Sequence, residues 1–268
     1  MFKYDKILAK SSPEITLEQH IKDCLGLFPK ILQWKGDLIK LMAKKYDVDE
    51  DLLVCRLFLT VAFHDIAKAT INFQSKIRKE GFKGKESHAL SSISFLFTLI
   101  ENAPLITFKD VPYYPELMSI ATHHSMLYRD VFDEYDERVL VNEFADESYF
   151  NSYFQMINGQ AAIQNIPSWT NINFDKRTFA IHPRKILKFD IIKKLDKNAY
   201  VNEKSNKARD LFLLFKSVLH YCDWIASSGN FGYQYISSID NNAITQKMLS
   251  SGKGFKVWND FQLKSAQA

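Results

Sequence analysis

Residues Leu52 to Lys68 read Leu-Leu-Val-Cys-Arg-Leu-Phe-Leu-Thr-Val-Ala-Phe-His-Asp-Ile-Ala-Lys, and the fold is organised around them. Ten of the twelve residues from Leu52 to Phe63 are apolar, which predicts a helix buried on most sides. His64 and Asp65 close that run, and a polar pair at the end of a buried helix needs a partner. A metal bound through both residues, or two metals bridged by the carboxylate, supplies one. A core histidine satisfied by its neighbour supplies one without a metal.

Outward from this stretch, the charged turn Asp47–Asp51 is placed to cap the central helix. Before it, Thr16 is an N-cap for a helix carrying Leu17, Ile21 and Phe28, with His20 at the edge of its inward stripe, and a second helix covers 31–45. The first residues read as a polar leader. After Lys68, the segment from Gln74 to His88 turns polar and basic, with Lys76, Lys79 and Lys83, and its two glycines mark it as a loop. His88 then opens another apolar helix.

A proline-punctuated connection, Pro104–Pro115, leads to an apolar helix ending in Ala121-Thr122-His123-His124. Successive helical residues point about 100° apart, so both histidines serve one site only at a rim or where the helix ends. Residues 129–206 read as an irregular insertion of short helices and loops, with room for a strand or small hairpin near Arg177–Ile181. Helical period returns from Lys207 and leads into Tyr221-Cys222-Asp223-Trp224-Ile225-Ala226-Ser227. The compact domain is expected to end near Asp240.

Composition agrees with a mainly α domain: 268 residues, 46% hydrophobic, nine glycines and seven prolines. No apolar run approaches the roughly 20 residues of a membrane span, and the N-terminus lacks the apolar core of a secretory signal. Cys24, Cys55 and Cys222 lie in apolar helical stretches without paired spacing and read as reduced core residues of a cytoplasmic protein. A formal charge of +4 permits nucleic-acid binding without establishing it.

Five of the seven histidines (His20, His64, His88, His123 and His124) and two acids, Asp65 and Asp223, each fall at the end or edge of an apolar helix. Burying them without a cation costs on the order of several kcal/mol apiece unless each is paired. A shared cluster is the economical reading, and seven ligands suit two metals about 3.5–4 Å apart. Imidazole and carboxylate without thiolate admit manganese, iron, cobalt, nickel or zinc, and magnesium is retained as a further candidate. Such a pair makes phosphoester hydrolysis the natural chemistry; Lys68, four residues after His64, reads either as a residue able to reach the phosphate or as a solvated lysine at the helix end. His182 reads as a surface residue; His220 reads either as a helix-surface residue or as a partner that orients Asp223.

In order and spacing, His20, His64-Asp65, Lys68, His88, His123-His124 and Asp223 resemble the HD superfamily of metal-dependent phosphohydrolases. More narrowly, FHDIAK, SHA, ATHH and YCDWIAS, between about His20 and Ser228, resemble the HD nuclease domain of the CRISPR-associated type I helicase-nuclease. The resemblance implies a helical bundle in which His20, His64, Asp65 and Asp223 hold one metal. Asp65 as a bridge, with His88, His123 and His124, would hold the other. It implies catalytic roles for Asp65 and Lys68, and Ser227 or Ser228 lining the substrate side. It also implies endonucleolytic and 3′-to-5′ exonucleolytic cleavage of single-stranded DNA exposed by an RNA-guided CRISPR surveillance complex. The basic loop bearing Lys76, Lys79 and Lys83 leads into His88 and is expected to contact the DNA backbone.

A cyclic-dinucleotide phosphodiesterase of the HD-GYP kind also carries a histidine doublet, but its Glu-Arg and Gly-Tyr-Pro continuation is replaced here by Ser125-Met126-Leu127. A nucleotide triphosphohydrolase needs no doublet, and a non-enzymatic helical module predicts lost ligands, whereas none is lost. Residues 1–240 are therefore expected to form the nuclease domain, and 241–268 a linker or the start of a following helicase domain. The aromatic segment Phe255–Gln267 resembles the approach to such a motor, though no phosphate loop of its own occurs in the chain.

Overall fold

The computed structural model describes residues 6–80, 88–89, 91–93, 95–96, 115–124, 147–172 and 206–227. The chain is mainly α. Its first element is a hairpin, β1 (Leu8–Ser11) and β2 (Glu14–Thr16), antiparallel with Leu8 opposite Thr16 and Ser11 opposite Glu14. A polar leader was expected there. The hairpin holds because Ile7, Leu8 and Ala9 are buried and the Gln74 side chain pairs with both Leu8 backbone groups: Leu8 N donates to Oε1 at 3.0 Å and Nε2 donates to Leu8 O at 2.9 Å.

Helix α1 (Leu17–Tyr46) starts at Thr16, whose hydroxyl accepts from Gln19 N at 3.2 Å. It is one continuous helix where two were expected. Pro29 cannot donate to Leu25 O, and a proline inside a helix ordinarily kinks or breaks it. Here Gln164 Nε2 donates to that carbonyl at 2.9 Å, so the missing backbone bond is replaced from another part of the chain.

Helix α2 (Glu50–Phe63) is the predicted central helix, with Asp49 accepting from Leu52 N at 2.7 Å and every residue from Cys55 to Phe63 buried. Arg56, charged and fully buried within it, pairs with the equally buried Glu116 of α4 (Pro115–Ala121), as a charge taken out of water requires. After α2 come a 3₁₀ turn (Ile66–Ala69) and α3 (Ile71–Ile77). The expected loop from Gln74 thus begins four residues late, because Thr70 caps a helix that buries Phe73, Gln74 and Ser75.

Helix α5 (Glu147–Ile163) falls inside the region read as an irregular insertion. It belongs to the core: Phe150, Tyr153, Phe154 and Ile157 are buried, the Phe63 ring meets those of Tyr153 and Phe154, and Tyr153 Oη donates to Ala62 O at 2.5 Å. Helix α6 (Asn206–Ser227) lies against α1, α2 and α4 as its apolar stripe requires. The three cysteines are free and buried, as expected. No helix among the described residues is long and apolar enough to cross a membrane. The hairpin expected near Arg177–Ile181, His182 and the segment 241–268 lie outside the described residues.

Candidate metal centre

Helix α2 ends where the chemistry begins. His64 is its C-terminal cap, Asp65 follows in a non-helical conformation, and the 3₁₀ turn is held by Lys68 N to Asp65 O at 2.8 Å and Thr70 Oγ1 to Ala67 O at 2.8 Å. Ala67 N donates to the buried Ser92 Oγ at 3.1 Å, tying this turn to the helical residues that follow His88. Helix α4 stops at Ala121, so His123 and His124 stand on a turn, which resolves how two adjacent histidines can face one site. The elements α1, α2, α4 and α6 thereby bring His20, His64-Asp65, His123-His124 and Asp223 together.

The two oxygens of Asp65 face different imidazoles. Oδ2 lies 3.2 Å from His20 Nε2 and 3.4 Å from His64 Nε2, whereas Oδ1 lies 3.2 Å from His88 Nε2 and 3.6 Å from His123 Nε2. Asp223 Oδ1 lies 3.3 Å from His20 Nε2 and 3.7 Å from His64 Nε2. His124 Nε2 is 2.7 Å from His88 Nε2 at the exposed rim.

The donors are prepared for a cation. His64 Nδ1 meets Val61 O at 2.8 Å and His123 Nδ1 meets Ile120 O at 2.6 Å. A carbonyl only accepts, so each Nδ1 carries the hydrogen and, in the neutral ring, Nε2 presents its lone pair to the centre. Neither His64 Nε2, His123 Nε2 nor the two Asp65 oxygens make an aligned hydrogen bond, although all are buried. Convergent buried donor atoms of this kind, Asp65 Oδ2 having the Lys68 ammonium beside it, fit a metal.

Electrostatics agree. Burial disfavours the charged forms, but Lys68 and His64 outweigh it and hold Asp65 well below the usual carboxylate range, while His20 and His64 do so for Asp223. Burial would likewise lower the His64 pKa, yet Asp65 and Asp223 raise it to about 10. Its ring attracts a proton where a metal would otherwise sit. Burial lowers His88 to about 4, leaving it neutral near pH 7.

Lys68, expected either at the phosphate or in solvent, is buried with Nζ 2.6 Å from Asp65 Oδ2. Ser227 Oγ donates to Asp223 Oδ1 at 3.0 Å and its carbonyl accepts from Lys10 Nζ at 2.7 Å, so Ser227 steadies a ligand. His220 was considered for that position; its ring instead stacks on Trp224, centroids 4.5 Å apart. Lys76 and Lys79 lie beyond Phe73, whose ring covers His88 at 5.1 Å, while Lys83 and Ser228 lie outside the described residues.

Two donor groups emerge: His20, Cys24, His64 and Asp223, and Asp65, His88, His123 and His124. The first group includes Cys24, a sulfur donor outside the set expected from the sequence. The signal was present in the sequence, because Cys24 follows His20 by four residues and so shares its helix face. Gln74, Phe73, Ser92 and Lys10 had no such signal, since only tertiary packing brings them to the site.

A helical bundle with this His-Asp centre is an HD-type metal-dependent phosphohydrolase domain. Residues 8–231 match the family model described as "Cas3, HD domain", and the chain belongs to that family. Among curated proteins it is similar to the "Putative CRISPR-associated nuclease/helicase Cas3" of Methanocaldococcus jannaschii, 26% identical over 182 residues. That match takes in 61% of this chain and 22% of the relative, so the chain spans less than a quarter of the relative's length. No solved structure matches the chain.

Proposed function

We propose that this domain is a two-metal nuclease that cleaves single-stranded DNA in type I CRISPR interference. The observation that carries the reading is the division of Asp65: Oδ2 addresses His20 and His64, and Oδ1 addresses His88 and His123. A carboxylate shared in this way suits two ions close enough to act on one phosphate. When bound, divalent transition ions such as manganese, iron, cobalt or nickel supply an activated water and neutralise the phosphodiester's charge.

The chain's own residues do the rest. His20, His64 and Asp223 hold the first position, His88, His123 and His124 the second, and Asp65 joins them. Lys68 Nζ pairs with Asp65, and in this reading it binds a non-bridging phosphate oxygen once cations take over the charge of that carboxylate. Ser227 fixes Asp223 through its hydroxyl, and Ser228, next in the sequence, shares the role of lining the substrate. Lys76, Lys79 and Lys83 guide the strand by phosphate contacts that carry no sequence information. Residues 1–240 form the nuclease domain. A helicase works beside it, fused C-terminally beyond 241–268, in keeping with the nuclease/helicase description of the archaeal relative, and the surveillance complex exposes the DNA strand.

The test compares hydrolysis of single-stranded DNA, duplex DNA, a cyclic dinucleotide and a deoxynucleoside triphosphate with manganese, cobalt, nickel or magnesium. The proposal requires single-strand cleavage that Asp65→Ala eliminates. Turnover of the small nucleotides with intact single strands would assign the domain to that other branch of phosphohydrolases.

A further inference from the structure

We propose that Cys24 is a thiolate ligand of the first metal position, beside His20, His64 and Asp223, which makes that position selective for thiophilic transition ions. The inference rests on the metal-centre reading above and deepens it.

Cys24 and His20 lie one helical turn apart on α1, both buried, with Sγ 3.8 Å from His20 Nε2. One donor atom from each of His20, Cys24, His64 and Asp223 falls within 4.8 Å of the others. With Asp65 Oδ2 as the shared fifth donor, ligands about 2.0–2.3 Å from one ion stand roughly 3–4 Å from one another. The pairs here fall close to that: 3.3 Å for His20–Asp223, 3.7 Å for His64–Asp223 and 3.8 Å for His20–Cys24. Independently, His64 Nε2 is wholly buried in this group without a hydrogen bond.

A buried cysteine is ordinarily a small apolar filler. Cys55 fits that description: its Sγ meets a distant backbone carbonyl, Ser168 O at 3.9 Å, and it belongs to neither donor group. Cys24 differs in being surrounded by metal-type donors. On binding, its S–H proton passes to solvent and the sulfur–metal bond forms, with no redox change. The two positions then differ in kind. The first, with sulfur, favours cobalt, nickel, iron or zinc over magnesium; the second, with Asp65, His88, His123 and His124, has no sulfur.

The experiment loads metal-free protein with cobalt(II) under reducing conditions, counts bound cobalt by elemental analysis and records its absorption. A thiolate ligand gives an intense sulfur-to-cobalt charge-transfer band in the near ultraviolet. The band should grow with one equivalent only, persist in Cys55→Ser and Cys222→Ser, and vanish in Cys24→Ser while histidine-bound cobalt remains. Bound cobalt without this band in the wild type overturns the inference and leaves the metal centre standing. A band that survives in Cys24→Ser overturns it as well. Protein that binds no cobalt overturns both, and if Cys24→Ser misfolds, a band that persists in both Cys55→Ser and Cys222→Ser supports the inference by elimination, whereas its loss in either overturns it.

Discussion

Asp65 is a buried anion whose charge is balanced by Lys68 and by His64, and this balance predicts how pH acts on the metal-free protein. The His64 pKa, raised to about 10, exceeds its ordinary value of 6.5, so its contribution to stability is complete below about pH 6.5 and disappears as pH climbs through 10. His88 has the opposite sign: with its pKa lowered to about 4, it costs stability as pH falls from 6.5 toward that value. Metal must displace the His64 proton. The gain in melting temperature on adding manganese or cobalt should therefore increase between pH 7 and 9 in scanning fluorimetry, and a gain independent of pH would contradict this picture. That His20, His64, Asp65, His88, His123, His124 and Asp223 meet in one place was legible because each interrupts an apolar run at its end or edge, where a polar side chain stands out. The nearness of Cys24 to His20 was hidden because cysteine is itself a common core residue, so its position on the His20 face read as packing.

The continuity of α1 depends on one side chain distant in sequence. Removing the Gln164 amide in Gln164→Ala leaves Leu25 O without its donor beside Pro29, which should cost about 1–3 kcal/mol in denaturant unfolding. Pro29→Ala in the same background restores a backbone N–H for Leu25 O and should recover most of that loss; no recovery would mean that Gln164 acts otherwise. This coupling explains why two helices were expected: Pro29 is a sound local stop signal, and its remedy lies 139 residues away from Leu25. The same physics hid α5, whose many polar and aromatic residues blur its period although Phe150, Tyr153, Phe154 and Ile157 enter the core. It also hid the hairpin, which depends on Gln74 for its backbone partners. By contrast α2 and α6 were read almost to the residue, because a continuous apolar run and a clear stripe leave little choice.

For the whole molecule, substrate should approach over α3. Lys79 occupies a left-handed backbone conformation (φ 60°) just after that helix, so Lys79→Asn tolerates the geometry while removing the charge. Combined with Lys76→Gln and Lys83→Gln, it should weaken single-strand binding and reduce the salt slope by about 0.7 for each phosphate that is no longer neutralised. An unchanged slope would move the DNA path elsewhere. The central claim is that Asp65 joins two metal positions into one hydrolytic centre, and metal stoichiometry tests it most directly. Metal-free wild-type protein and Asp65→Ala are titrated with cobalt or manganese, with bound metal counted by elemental analysis and folding checked by circular dichroism. The account predicts two ions per wild-type chain, and in Asp65→Ala an unchanged helical signal with lowered occupancy and no cleavage. Saturation of the wild type at one ion, or two ions held undiminished by Asp65→Ala, would contradict it.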